Sequence, residues 1–260
     1  MSFAADVTTL GTRRSVRLVA WARAWRAGLV PYDELAEQIA GGEEHMVADA
    51  PGTWTDVSLR DALSALSKIH PDEIRLVLPV PGDPRGLPGP GPFTAAALLA
   101  GEGALAGVYG LVPEVRTHTS GSGDTFSTVL WRMYELPTVL PRGYEPGTAE
   151  AEAELSTALV EATRELTRLD VAQWRPELAG ALAALRRPGN GGDLPPGYDP
   201  RARRLYARAS LLDRVLVLAS HTAPGGAVTG YEARRRDEVL RPLLAACRQA
   251  LVAACNAPLR

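Results

Sequence analysis

Glu114, Arg116 and His118 alternate along an apolar-rich stretch, and Ser120, Ser122 and Asp124 follow at once. On a β-strand that alternation puts the first three on one face, because successive side chains point to opposite sides. A histidine among hydroxyls and carboxylates has the make-up of a general-base site. The Ser120-Gly121-Ser122-Gly123 run is, however, too pliable to hold a nucleophile to the roughly 0.5 Å that catalysis needs. It also lacks the Gly-x-Ser-x-Gly spacing of a nucleophile elbow. The plainer expectation is a solvated hairpin end, with no catalytic residue assigned.

A second group lies in residues 79–92, where ten of fourteen positions are proline or glycine. The segment sits between an apolar run and an alanine-rich one, which predicts a strand, a stiff loop and a helix in that order. Glycines ahead of a helix can present amides to an anion, with Arg85 as the charged partner and Asp83 as a hydroxyl or cation contact. Pro81, Pro84, Pro88, Pro90 and Pro92 argue against a closed nest, since they have no N–H to donate. A rigid loop covering the sheet edge is the competing expectation. Gly101-Glu102-Gly103 follows a predicted helix and enters a strand, the reverse of a dinucleotide fingerprint, and no Gly-Lys-Ser/Thr triplet exists. The candidate ligand-binding set is therefore Asp83, Arg85, Arg116, His118 and Asp124.

Metal chemistry finds little support. His45, His70, His118 and His221 are scattered, with no His-x-x-x-His or Cys-x-x-Cys spacing. Glu43-Glu44-His45, after two glycines, reads as an exposed turn. No metal and no cofactor are expected. Cys247 and Cys255 fall in one predicted helix about 12 Å apart, too far to pair with each other. Lys68 is the only lysine among 28 basic residues, so lysine chemistry has a single possible carrier.

Charge is unevenly spread. Residues 1–30 carry five arginines against Asp6, and residues 201–260 carry eleven arginines against four acids, although the net charge is −2. Solvated faces account for this most simply. The sharper reading is a surface for an anionic partner, nucleic acid included, through Arg203, Arg204, Arg234 and Arg235. No recognisable nucleic-acid module accompanies them.

The elements that must position these groups begin with a helix over 12–28, whose stripe of Leu18, Trp21, Ala22, Trp25 and Leu29 predicts a core face. Short helices are expected over 32–40 and 58–69. Strands are predicted at 74–80, 104–117 and 125–136, the first two parallel across a helical crossover and the last two a hairpin. From Thr148 on, four helices are expected, including one over 176–187 and one opened by a capping box at Thr229–Glu232, with 188–197 as a surface linker.

The expected fold class is α+β: a small mixed sheet of about three strands flanked by N-terminal helices, with a C-terminal four-helix layer. Residues 1–146 would form the α/β region and 147–260 the helical region, packed as one globular unit. No apolar run reaches the roughly 20 residues a bilayer span needs, and the N-terminus does not read as a secretory signal. The functional expectation is a cytoplasmic binding, regulatory or assembly protein with a protein partner or a second copy of itself. The alternative is a small-molecule-binding enzyme whose site joins loop 81–92 to the strand end near His118.

Overall fold

Helix α1 (Arg14–Arg26) buries Val16, Leu18, Val19, Ala20, Ala22 and Ala24. The computed structural model from which this is read describes residues 13–121, 125–137, 145–168, 194–221 and 230–260. Trp21 and Trp25, expected in the core, are only half-buried, and Leu29 is exposed. Trp25 packs edge-on against Tyr32 instead, under the guanidinium of Arg26. Arg23, which is not on that stripe, is 2% exposed and donates from Nε to the carbonyl of Pro71. Backbone acceptors therefore pull an arginine inward, and the bulky indoles are left at the margin.

Helix α2 (Tyr32–Ala40) buries Leu35 and Ile39 and ends at Gly41, whose left-handed φ of 53° suits glycine. Strand β1 (Glu44–Ala48) and the two-residue β2 (Val57–Ser58) form a hairpin. Ser58 then caps α3 (Leu59–Leu63), its hydroxyl accepting from the Asp61 amide. After two 3₁₀ turns come β3 (Ile74–Val77), α4 (Pro92–Ala100), β4 (Gly103–Ala106), β5 (Tyr109–Thr119) and β6 (Thr125–Glu135).

These strands make one six-stranded mixed sheet in the order β2-β1-β6-β5-β4-β3, so the expectation of about three strands is wrong. Three differences separate it from the expected sheet. First, Glu43-Glu44-His45 is not an exposed turn: Glu44 opens β1, which pairs in parallel with β6 from Glu44↔Thr128 to Ala48↔Arg132. Second, the long strand expected over 104–117 is two strands, reversed at Gly107, whose φ is 59°. Third, β3 and β4 are antiparallel, not a parallel crossover pair. A crossover must carry the chain to the far end of the sheet. Residues 78–91 instead fold back on themselves, with Val80 and Asp83 exchanging backbone hydrogen bonds, and β4 starts level with the end of β3, at Val77↔Gly103.

The β5–β6 hairpin runs unbroken from Tyr109↔Glu135 to Thr119↔Thr125. On one face His45, Val47, Leu76, Ala104, Leu111, Val129, Trp131 and Met133 are buried. On the other, Phe93 and Ala97 of α4 cover Val77, Leu105 and Val112. Gly110 admits the Phe93 ring, and a β-carbon there would lie 2.4 Å from it.

Residues 194–198 and 258–260 belong to this sheet-containing unit. Leu194 and Tyr198 are buried, so this part of the expected surface linker is an anchor; Gly197 accepts a backbone hydrogen bond from Arg260. A second unit holds α5 (Thr148–Arg168), α6 (Pro200–His221) and α7 (Gly230–Cys255), with α5 and α6 both packed on α7. Three helices are described where a four-helix layer is expected; the segment 176–187 lies outside the described residues, as do Thr229 and the N-terminal residues 1–12. Cys247 and Cys255 are both buried and neither is in a disulfide. Among the described residues no helix is long and apolar enough to cross a membrane.

Candidate functional site

Among the described residues, α4 covers only half of its side of the sheet. Beyond Val112 the same face continues through Glu114, Arg116 and His118 on β5 and through Arg132, Leu130, Thr128 and Phe126 on β6, paired across the hairpin as Glu114↔Leu130, Arg116↔Thr128 and His118↔Phe126. Exposure rises towards the hairpin end, where Arg116 and His118 are exposed and Phe126 is 55% exposed. Alternation along two long antiparallel strands suffices to assemble this surface.

Its charges form one linked set. Arg132 reaches Glu114 through Nε and Asp49 through Nη1 at 3.4 Å, and Glu114 also lies 3.7 Å from Arg116. The hydrogen bond to Glu114 raises the Arg132 pKa further. Asp49 follows β1 with a left-handed φ of 61°, a conformation aspartate tolerates better than most residues. Burial raises the pKa of the neighbouring Tyr134. His118 stacks on Phe126 with ring centroids 5.0 Å apart, and its Nε2 lies 2.9 Å from the Thr128 hydroxyl.

Arg116 and His118 therefore share a face. Arg85 and Asp83 are placed differently: Arg85 grips Asp83 of its own loop through two hydrogen bonds of 2.7 and 2.8 Å. That loop follows β3, and β4 separates β3 from β5 in the sheet. Asp124 lies outside the described residues, with Ser122. Arg132 and Asp49 were missed by the sequence reading. Arg132 was findable, because Phe126, Thr128, Leu130 and Arg132 alternate as Glu114, Arg116 and His118 do. Asp49 carries no comparable signal.

A second polar cluster is buried beneath the opposite face. Arg14 grips Glu43 from Nε and Nη2 at 3.1 and 2.6 Å. Glu43 lies 3.6 Å from His45 Nε2, and the Trp131 indole donates to His45 Nδ1 at 3.1 Å. Because Nδ1 accepts that bond, the neutral imidazole carries its proton on Nε2, facing Glu43. Desolvation would raise the Glu43 pKa, but His45 and Arg14 outweigh it and hold the carboxyl at about 2. Glu102 accepts from the Ser15 amide at 2.7 Å at the start of α1, and there burial wins over Ser15, Arg13 and Arg14 and raises the pKa. His45 is thus a buried β1 residue, 7% exposed, and not part of an exposed turn. His45 and Val47 alternate inward, which is the signal that would have found it.

A family model described as "Rv1486c-like protein, N-terminal domain" matches residues 15–146, and one described as "Rv1486c-like protein, C-terminal domain" matches residues 149–252. The chain belongs to the Rv1486c-like family. Among curated relatives, "Uncharacterized protein Rv1486c" of Mycobacterium tuberculosis is 29% identical over 280 residues, spanning 94% of this chain and 96% of the relative. "Uncharacterized protein ML1804" of Mycobacterium leprae is 27% identical over 287 residues, with the same coverage. No solved structure matches. The N-terminal family region takes in α1 from Ser15 on, the whole sheet and both polar clusters apart from Arg14.

Proposed function

We propose that the chain is a cytoplasmic binding or assembly protein, and that its recognition surface is the uncovered half of the sheet around Glu114, Arg116 and Arg132. One observation carries this reading: Asp49, Arg132, Glu114 and Arg116 form a linked, solvent-facing set of alternating charges beside the exposed ring of Phe126. Arginine and aromatic side chains supply most of the energy at protein interfaces, and ordered charges set register and reject wrong partners. The partner is a protein surface of complementary charge, either a second protein or a second copy of this chain.

A photo-reactive residue at position 126 tests this in cells. The expected result is one discrete adduct, which the purified chain reproduces if the partner is a second copy. Arg132→Glu should abolish the adduct at unchanged melting temperature; an adduct pattern indifferent to that substitution would overturn the reading.

The hydrogen bond between His118 and the Thr128 hydroxyl favours a second reading, a small-molecule enzyme using the strand end near His118 with loop 81–92. It requires activity lost in both His118→Ala and Thr128→Val and kept in Arg132→Glu. A nucleic-acid role rests on Arg204, Arg234 and Arg235 being exposed, though Arg235 already pairs with Glu238 at 3.0 Å.

A further inference from the structure

Asp49, Arg132, Glu114 and Arg116 are joined end to end: Asp49 to Arg132 at 3.4 Å, Arg132 to Glu114 through Nε, and Glu114 to Arg116 at 3.7 Å. The strand register lays them out in that order. Ala48, just before Asp49, pairs with Arg132; Arg132 pairs with Val112; Glu114 and Arg116 are the next residues of β5 on the face of Val112. The result is a diagonal row across β1, β6 and β5 that runs minus, plus, minus, plus.

The make-up of the row decides what can cover it. Its charges sum to zero, so two copies of the row do not repel each other as wholes. An alternating row of even length, read backwards, is also its own negative image. A two-fold axis that lies in the interface and crosses the row between Arg132 and Glu114 sets Asp49 of one copy against Arg116 of the other, and Arg132 against Glu114. A row of one sign, or of odd length, would meet itself like to like. The pairs within one copy stand in water, and a guanidinium with five N–H donors can serve a carboxylate of its own chain and one of another together.

The row has an exposed aromatic towards each end. Phe126, 55% exposed, lies past Arg116, and Trp54, fully exposed, lies in the β1–β2 connection that opens at Asp49. The same axis carries the Phe126 end of one copy to the Trp54 end of the other.

We propose that this row is the seat of a two-fold homodimer, in which a second copy of the chain docks with its own row reversed. The inference rests on the recognition reading above and narrows its partner to one.

Sedimentation of the full-length protein over a dilution series at low salt tests it, with the variants Arg132→Glu and Glu114→Arg. The wild type should form dimers that dissociate on dilution and on adding salt. Each variant alone sets like charges across the axis and should weaken association at least about tenfold at unchanged melting temperature. An equimolar mixture of the two variants should associate again, because the acidic row centre of one then faces the basic row centre of the other. A mixture that stays monomeric, single variants that associate as the wild type does, or a wild type that is monomeric at every concentration overturns the proposal. In that last case an adduct from position 126 to a different protein, lost in Arg132→Glu, removes the homodimer and keeps the recognition surface; an adduct indifferent to Arg132→Glu removes both. Should a variant not fold, the otherwise wild-type chain with a photo-reactive residue at position 126 decides. In a mixture of isotopically light and heavy chains its adduct should join two copies and map to residues 49–56; an adduct elsewhere, or none between copies, overturns the proposal.

Discussion

The sheet-containing unit uses arginine–carboxylate pairs in two opposite settings. Beneath one face Arg14, Glu43, His45 and Trp131 form a chain shut away from water, with Arg14 and Glu43 side chains only 10% and 14% exposed. On the other face Arg132, Glu114, Arg116 and Asp49 are joined by contacts of similar kind, with side-chain exposures from 38% to 64%. Pairing out of water fixes structure, because losing one partner strands the other charge; pairing in water contributes little and leaves both groups available. The contrast makes the buried chain part of the fold and leaves the exposed one available for the recognition role proposed above.

The largest effect should come from splitting the buried pair. Arg14→Met leaves Glu43 uncompensated and is expected to cost about 3 kcal/mol in chemical denaturation, most of it regained by adding Glu43→Leu. A double variant no more stable than the single one would mean that the pair orients the chain rather than merely neutralising it. Next comes Trp131→Phe, which removes the donor to His45 Nδ1 and opens space in the core; about 2 kcal/mol is expected.

The acid limb of stability sharpens the same point. The folded Glu43 pKa of about 2 lies below its ordinary 4.5, so the stabilisation is present above pH 4.5 and disappears as pH falls towards 2. After allowance for partial solvent screening it amounts to about 1–2 kcal/mol. Stability measured across that window should therefore fall more steeply for the wild type than for Glu43→Gln. Glu102 has the opposite sign. Its raised pKa favours the folded state at low pH and is a burden once the carboxyl ionises, so Glu102→Gln should be neutral or stabilising at pH 7.

The exposed chain was partly legible in the sequence and the buried one was not, for a physical reason. Glu114, Arg116 and His118 share a face because a period of two decides it, and the hairpin closing at Thr119↔Thr125 is a local event. The pairing of β1 with β6 joins residues more than 80 positions apart, and Glu102 meets Ser15 across a similar distance. Local polarity made Glu43-Glu44-His45 resemble a turn, whereas partners distant in the chain make it the start of a strand. The same blindness affected β3, β4 and β5: their apolar content marked them as strands, but only Gly107 marked the reversal that divides β4 from β5. Arg85 is the converse case. Its nearness in sequence to Asp83 suggested a ligand site, and that nearness is what lets the two satisfy each other.

The smallest stability effect is expected where the functional effect is largest. Arg132→Ala removes contacts to Glu114 and Asp49 that lie in water, so the loss in denaturation should be under about 1 kcal/mol and should shrink further at high salt. Glu114→Ala should behave alike, and the double variant should show weak coupling between the two positions. If instead either single variant destabilises the fold as Arg14→Met does, the exposed set is structural after all, and the surface loses its claim to be free for a partner. If both fold normally and the adduct formed at position 126 disappears, then the charges the fold can do without are the ones recognition needs.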